Sequence, residues 1–203
     1  MILNDYYWFF QSAISSSDCD RIINLGIEKN PVLGKTGKSL DSLDDLSKLK
    51  QLRNSNISWL DEKWIYELIQ PFVHEANQKA GWNFDWDFSQ TCQFTIYSKG
   101  QFYDWHPDQS ADVYTDKDQE EMSGKYRKLS VTVSLNDSSE YEGGELEFDM
   151  GKHRGKPVTK ICSEIKPKGS IVVFPSFVYH RVLPVTQGTR YSLVMWNLGK
   201  PFK

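Results

Sequence analysis

Apolar positions recur at helical spacing early in the chain and at strand spacing later. Over residues 61–80, Trp64, Ile65, Leu68, Ile69, Phe72 and Val73 share one side of a helix. Pro71 inside that run predicts a kink or split, because proline lacks the amide proton and crowds the preceding turn. Gly81 supplies a stop. A shorter helix is predicted to start at Ser15-Ser16-Ser17-Asp18, whose side chains suit an N-cap, and to run through Ile22, Ile23, Leu25 and Ile27 to Lys29-Asn30-Pro31. Residues 32–52 are polar and predict an exposed, mobile loop. Residues 53–59 alternate as a strand would.

From about residue 84 the period changes to two. Strands are predicted at 91–97, 102–108, 129–135, 144–148, 160–165, 170–174, 178–183 and 190–197. Turn signals such as Ser98-Lys99-Gly100, Asn136-Asp137, Glu142-Gly143-Gly144 and Gln187-Gly188 divide them. A helical start followed by many short strands predicts an α+β, mainly β chain: a β-sandwich or jelly roll with helices packed on one sheet. Residues 109–127 are charged and predict a flexible flap. The 203 residues suit one domain spanning 1–203, with 1–83 as helical support and outer strands and 84–203 as the core.

Composition narrows the partners. Hydrophobic residues at 39% can fill a core, and a net charge of −3 without a basic stripe makes nucleic acid an unexpected partner. Cys19, Cys92 and Cys162 are odd in number and lack a C-x-x-C pair, which argues against a disulfide framework or structural zinc. Residues 1–10 lack the basic start of a signal peptide, and no apolar run reaches spanning length. The expectation is a cytoplasmic protein without a membrane partner.

Chemistry concentrates in Tyr103-Asp104-Trp105-His106-Pro107-Asp108. On a strand, positions i and i+2 face the same way, so His106 and Asp108 can aim a nitrogen and an oxygen at one point. His180, on another predicted strand, is the candidate third donor. Two histidines and a carboxylate on one face of an octahedral metal leave three positions open, the arrangement of non-haem Fe(II) oxygenases. Taken alone, His-x-Asp is equally compatible with a surface hydrogen-bonded pair. Ten residues beyond His180, Arg190 shares a predicted strand face with Ser192, Val194 and Trp196, where a guanidinium can clamp a carboxylate. An ordinary surface ion pair is the competing account of Arg190 by itself.

The ordered series Tyr97-x-x-Gly100-x-x-Tyr103-x-x-His106-x-Asp108, then Glu142-Gly143-Gly144-Glu145-Leu146, then Gly169-Ser170-x-x-x-Phe174-Pro175, then His180 and Arg190-x-Ser192, resembles the prolyl 4-hydroxylase-like branch of the 2-oxoglutarate oxygenases over roughly residues 90–198. The resemblance implies a double-stranded β-helix with supporting helices. It implies iron ligation by His106, Asp108 and His180, and a co-substrate carboxylate held by Arg190 with Tyr97 and Ser192. Arginine at position 190 is the choice of oxygen-sensing members, whereas many collagen-type members carry lysine. Trp196 would lie near the substrate entrance and Tyr103 at the pocket wall. Fe(II), 2-oxoglutarate, O2 and ascorbate are the implied cofactors and co-substrates. A prolyl residue in a peptide or protein is the expected substrate, with a free amino acid as the alternative. A nucleic-acid demethylase would carry a second arginine where Trp196 stands. A catalytically silent jelly-roll binding module is the non-enzyme alternative.

Other candidates read as structural. His74 lies on the Pro71 helix, His153 sits in the basic run Gly151-Lys152-His153-Arg154-Gly155-Lys156, Cys92 and Cys162 fall in strands as small buried hydrophobes, and Trp105 is expected in the core. The acidic run 116–121 reads as a solvated flap.

Overall fold

The structure, a computed structural model, describes residues 3, 5–34, 51–115 and 120–202. The predicted loop therefore lies outside the described residues over 35–50, and the acidic run over 116–119.

The strands are β1 (Trp8–Phe10), β2 (Val32–Leu33), β3 (Arg53–Asn54), β4 (Asn56–Leu60), β5 (Phe88–Ser89), β6 (Cys92–Ser98), β7 (Phe102–His106), β8 (Tyr126–Ser134), β9 (Tyr141–Gly143), β10 (Leu146–His153), β11 (Lys156–Ile161), β12 (Ile171–Pro175), β13 (His180–Val182) and β14 (Val185–Gly199). A larger sheet runs β1-β12-β8-β14-β6-β4-β2, and a smaller one β11-β10-β13-β7-β3. Their antiparallel centres, β12-β8-β14-β6 and β10-β13-β7, face each other as the two walls of a jelly roll. The interior between them is buried by alternate residues of both sheets, including Leu146, Phe148, Val172, Phe174 and Val182.

Among the described residues, two helices back the larger sheet. In α1 (Ser16–Glu28), Ser15 is the N-cap and its hydroxyl accepts from the Asp18 amide at 3.1 Å. In α2 (Lys63–Lys79), Ile65, Ile69, Val73 and Ala76 form the buried stripe. Pro71 does not split α2: the helix runs through it, with the proline exposed. The packed stripe on the opposite face outweighs the missing hydrogen bond.

One close approach fixes how α1 lies on the sheet. A Cβ at Gly26 would sit 2.3 Å from the Phe94 ring, and Ser58 Oγ donates to the Gly26 carbonyl at 2.7 Å. Alanine is the better helix former by about 1 kcal/mol, but overpacking against a fully buried ring costs about 1–3 kcal/mol. Gly26→Ala is therefore expected to lower the melting temperature by a few degrees, on the order of 2–4 °C per kcal/mol for a chain of this size. An unchanged or raised melting temperature in a thermal scan would show that the ring yields freely.

Several expectations are corrected. The single strand at 53–59 is two, because the chain passes from one sheet to the other at buried Ser55: β3 pairs with β7 and β4 with β6. The 160–165 strand lies earlier, as β11, and Ser163–Ile165 is a 3-10 turn. The predicted flap is partly anchored, since Met122 is buried with Trp196 and Leu198. Trp105 is only half-buried and lies under the Arg181 guanidinium at 4.6 Å, not in the core. The pleat turns it to the outer face of the smaller sheet, away from His106.

His74 is exposed and stacks on Trp86 at 4.7 Å, and His153 is exposed at the end of the β10–β11 hairpin. Cys19, Cys92 and Cys162 are free and buried, and burial pushes their thiols up to about 11, 12 and 12. A neutral buried thiol is a poor nucleophile. A colorimetric thiol reagent is expected to titrate none of the three in the native protein and all of them after denaturation. No helix among the described residues is long and apolar enough to cross a membrane.

Candidate active site

The smaller sheet places the three predicted donors. β13 pairs with β7 so that His180 lies opposite His106. Asp108 follows β7 and is anchored by its own amide, which donates to the Ser176 carbonyl at 2.9 Å. One ligand atom from each of His106, Asp108 and His180 can be chosen so that all lie within 4.8 Å of one another. His106 Nε2 is 3.9 Å from Asp108 Oδ1, and His180 Nε2 is 3.6 Å from Oδ2.

The other imidazole nitrogens are already engaged. His106 Nδ1 donates to the Asp104 carbonyl at 2.7 Å and His180 Nδ1 to the Val178 carbonyl at 3.0 Å. A carbonyl can only accept, so each Nδ1 carries a proton and each Nε2 points to the centre. Burial, and then neighbouring His180, lower His106 to about 3, so it stays neutral at physiological pH. Burial alone would raise the Asp108 carboxyl. His180, His106, Arg127 and a hydrogen bond with Ser130 outweigh it and hold the group below its ordinary value. Two imidazole Nε2 atoms and one carboxylate converge here as a donor set for a divalent cation.

Aromatic rings fix this cluster. Tyr103 stacks on the His106 ring with centroids 3.4 Å apart, and Phe174 meets the His180 ring edge-on at 4.7 Å. Arg53, buried, lies over Tyr103 at 4.7 Å and donates through Nε to Ser55 Oγ at 2.9 Å.

The larger sheet supplies the second part of the site. Along β14, Arg190, Ser192, Val194 and Trp196 face the interior. Arg190 is 3% exposed, its Nη1 donates to Ser192 Oγ at 3.3 Å, and its Nη2 has no partner. Among the described residues no carboxylate pairs with it. Tyr97, opposite Arg190 on β6, places its ring 5.5 Å from the guanidinium carbon, and burial raises its phenol. Tyr97 is thus a neutral hydroxyl beside an unpaired cation. A buried guanidinium with a free nitrogen is costly unless an anion completes it, so this end of the barrel suits a carboxylate. A cavity of about 240 Å³ opens against Arg190 between Ser134, Gly144, Leu146, Cys162 and Ile165. It does not reach His106, Asp108 or His180, so it belongs to the guanidinium end alone.

Trp196 is buried and lies under the Arg127 guanidinium at 3.8 Å. Arg127 also reaches the Asp108 carbonyl at 3.4 Å. Trp59, 48% exposed, lies 6.4 Å from Trp196. Sequence reasoning missed Arg127, Ser130 and Trp59. A charged residue near the start of a strand resembles a surface residue, and only the pairing of β8 with β14, which sets Ser130 opposite Trp196, brings Arg127 and Ser130 to the site, while Trp59 arrives from β4 through β6.

Residues 92–197 match the sequence signature of the 2OG-Fe(II) oxygenase superfamily. The chain belongs to that superfamily. A PKHD-type hydroxylase of Idiomarina loihiensis is 31% identical over 109 residues, covering 53% of this chain and 42% of that protein. The chain spans less than half the length of such curated relatives. Solved oxygenases share the fold at low identity. A viral collagen prolyl hydroxylase of Paramecium bursaria Chlorella virus-1 superposes with TM-score 0.64 at 21% identity, covering 97% of both chains. A Trichoplax adhaerens prolyl hydroxylase, solved with a hypoxia inducible factor peptide fragment, superposes with TM-score 0.66 at 18% identity, covering 96% of this chain and 84% of that one. The mainly β fold with supporting helices is that of a jelly-roll 2-oxoglutarate oxygenase.

Proposed function

We propose that the protein is an Fe(II)- and 2-oxoglutarate-dependent dioxygenase that hydroxylates a prolyl residue in a peptide or protein. The observation that carries the reading is the pairing, inside one jelly roll, of a largely buried His106–Asp108–His180 donor set with a buried, unpartnered Arg190. Prolyl specificity is supported by the hydroxylases whose fold the chain shares, including one solved with a peptide.

In this reading His106, Asp108 and His180 hold the metal, with the Nε2 atoms and one carboxylate oxygen as donors. Arg190, with Tyr97 and Ser192, holds the distal carboxylate of 2-oxoglutarate. Bound iron and 2-oxoglutarate supply the oxidising chemistry: 2-oxoglutarate and O2 give succinate and CO2, and one oxygen atom enters a substrate C–H bond. The chain's own part is geometry and exclusion of water. Phe148 and Phe174 wall the donor set with apolar surface, and Tyr103 packs over His106 so that its Nε2 cannot swing away. Trp196 and Arg127 shape the side from which substrate arrives. Ascorbate would serve to keep the iron ferrous. A reducing, cytoplasmic setting is supported by three free thiols. The chain acts as one oxygenase domain in this proposal.

The test is mass spectrometry of proline-containing peptides incubated with protein, Fe(II), 2-oxoglutarate, ascorbate and O2. A single added oxygen on proline, matched by succinate, is expected. Added oxygen on free amino acids but on no peptide would move the substrate to small molecules. No 2-oxoglutarate consumption with any substrate would remove the oxygenase reading.

A further inference from the structure

The β10–β11 hairpin stands outside the machinery described so far, and its position gives it a role. Three rows of the smaller sheet set the direction. Leu146 lines the cavity at Arg190, Phe148 pairs with His180 in the row of the candidate ligands, and β10 then continues to His153. Moving along β10 therefore leads from the guanidinium end, past the donor set, and out beyond it. A bulge between Asp149 and Lys152 shortens the strand, so Phe148 to His153 spans the four β11 steps from Lys160 to Lys156, about 13 Å. The tip projects on the side opposite Arg190, where a primary substrate must enter if 2-oxoglutarate occupies the other.

The tip is strongly cationic. Residues 152–161 carry Lys152, Arg154, Lys156 and Lys160, with His153, and no carboxylate, in a chain of net charge −3. All of these side chains are exposed. Lys160 pairs with Glu164 at 3.2 Å, but among the described residues no carboxylate pairs with Lys152, Arg154 or Lys156. Protection of an open strand edge accounts for part of this pattern, since β11 is the edge of its sheet and Lys156, Pro157 and Lys160 discourage edge pairing. It does not account for Lys152, on the inner strand of the hairpin, or for Arg154 at the turn.

Arg154 carries a second, independent signal. His153 pairs with Lys156, so Arg154 and Gly155 form the two-residue turn, with φ of 50° and 79°. Such a turn favours asparagine, aspartate or glycine at its first position. An arginine there occupies a left-handed conformation at an energetic cost, and strain of this kind points to a retained function.

We infer that the hairpin is a specificity element that selects peptide or protein substrates carrying acidic residues about four positions from the hydroxylated one. The inference rests on the oxygenase reading for the meaning of the entrance, and its partner is an acidic polypeptide segment. Complementary charge at a rim steers encounter and fixes register more than it adds tight binding, so the effect belongs in the substrate KM and in its salt dependence.

The test compares proline-centred peptides with glutamates on the N-terminal or the C-terminal side, and matched glutamine and lysine versions. Binding is read by fluorescence anisotropy, and turnover by mass spectrometry. The glutamate peptide on one side is expected to bind about tenfold more tightly than its glutamine match, with the preference fading as salt rises. The triple variant Lys152→Glu, Arg154→Glu, Lys156→Glu should abolish the preference. Its 2-oxoglutarate consumption without peptide should stay unchanged. Arg154→Asn separates function from folding: it should raise the melting temperature, because asparagine suits the turn, yet weaken binding of the acidic peptide. Equal binding of glutamate and glutamine peptides, or a preference that survives the triple variant, would overturn the proposal. So would tighter binding of a short single-stranded oligonucleotide through the same three side chains. Charge-selective binding without 2-oxoglutarate consumption would count against the oxygenase reading alone, and consumption without charge selectivity against this inference alone.

Discussion

Asp108→Ala is expected to lower 2-oxoglutarate consumption by on the order of a thousandfold or more while the protein stays folded. The reasoning begins with charge. His106 and His180 each turn Nε2 to the centre, because Nδ1 donates to a backbone carbonyl. Asp108 is the only anion of the cluster, and its carboxylate is held ionised by its neighbours. Removing it leaves two imidazoles, which ligate a metal only as uncharged donors and cannot offset the desolvation of a divalent cation. Metal affinity and turnover should therefore fall together. The loss can be read separately from activity, by titrating metal-free protein with Co(II) and following its visible absorption. The fold should survive, since the Asp108 amide, not its side chain, holds the strand end to Ser176. His180→Ala should act in the same direction through the loss of one donor. An Asp108→Ala protein with normal Co(II) affinity would place the metal elsewhere.

How much of this was legible beforehand depends on the range of the interaction. The period-2 pattern marked β6, β8 and β14 closely, because Phe94, Leu129, Val131, Val133, Leu193 and Met195 pack towards the helices while the residues between them face the opposite sheet. His106 and Asp108 were readable as a pair because their spacing is local. The meeting of His180 with them needed the register of β13 on β7, which no local pattern encodes. It was inferred from the ordered motif series. The passage of the chain between sheets at Ser55 was illegible, since residues 53–60 look like one strand and only distant partners divide them. The same holds for β1, three residues that pair with β12 across more than half the chain. Arg127 and Ser130 escaped for a related reason. Their function comes from what β14 sets opposite them, and a sequence shows a strand's alternation but not its neighbour.

Arg190→Met is expected to separate co-substrate affinity from stability. In the folded protein the guanidinium is 3% exposed and its Nη2 has no partner. Without an anion, that arrangement is unfavourable, because the charge is taken out of water with only the Ser192 hydroxyl and the Tyr97 ring in return. Methionine has similar volume and no charge, so the ligand-free variant should melt at the same temperature as the parent or slightly above it. The co-substrate sees the opposite change. Removing one partner of a buried carboxylate–guanidinium pair costs about 2–5 kcal/mol, so the KM for 2-oxoglutarate should rise roughly thirtyfold to several thousandfold. At saturating co-substrate, kcat should change much less, since the metal donors are untouched. Arg190→Lys should fall between the two: it keeps the charge but loses the planar fork that matches a carboxylate with two parallel hydrogen bonds. Thermal melts with and without 2-oxoglutarate, set beside steady-state kinetics, read both halves. A Met variant that loses several degrees without ligand would show that Arg190 is a structural ion whose partner lies within the protein. One that keeps a normal KM would move the carboxylate clamp to another residue.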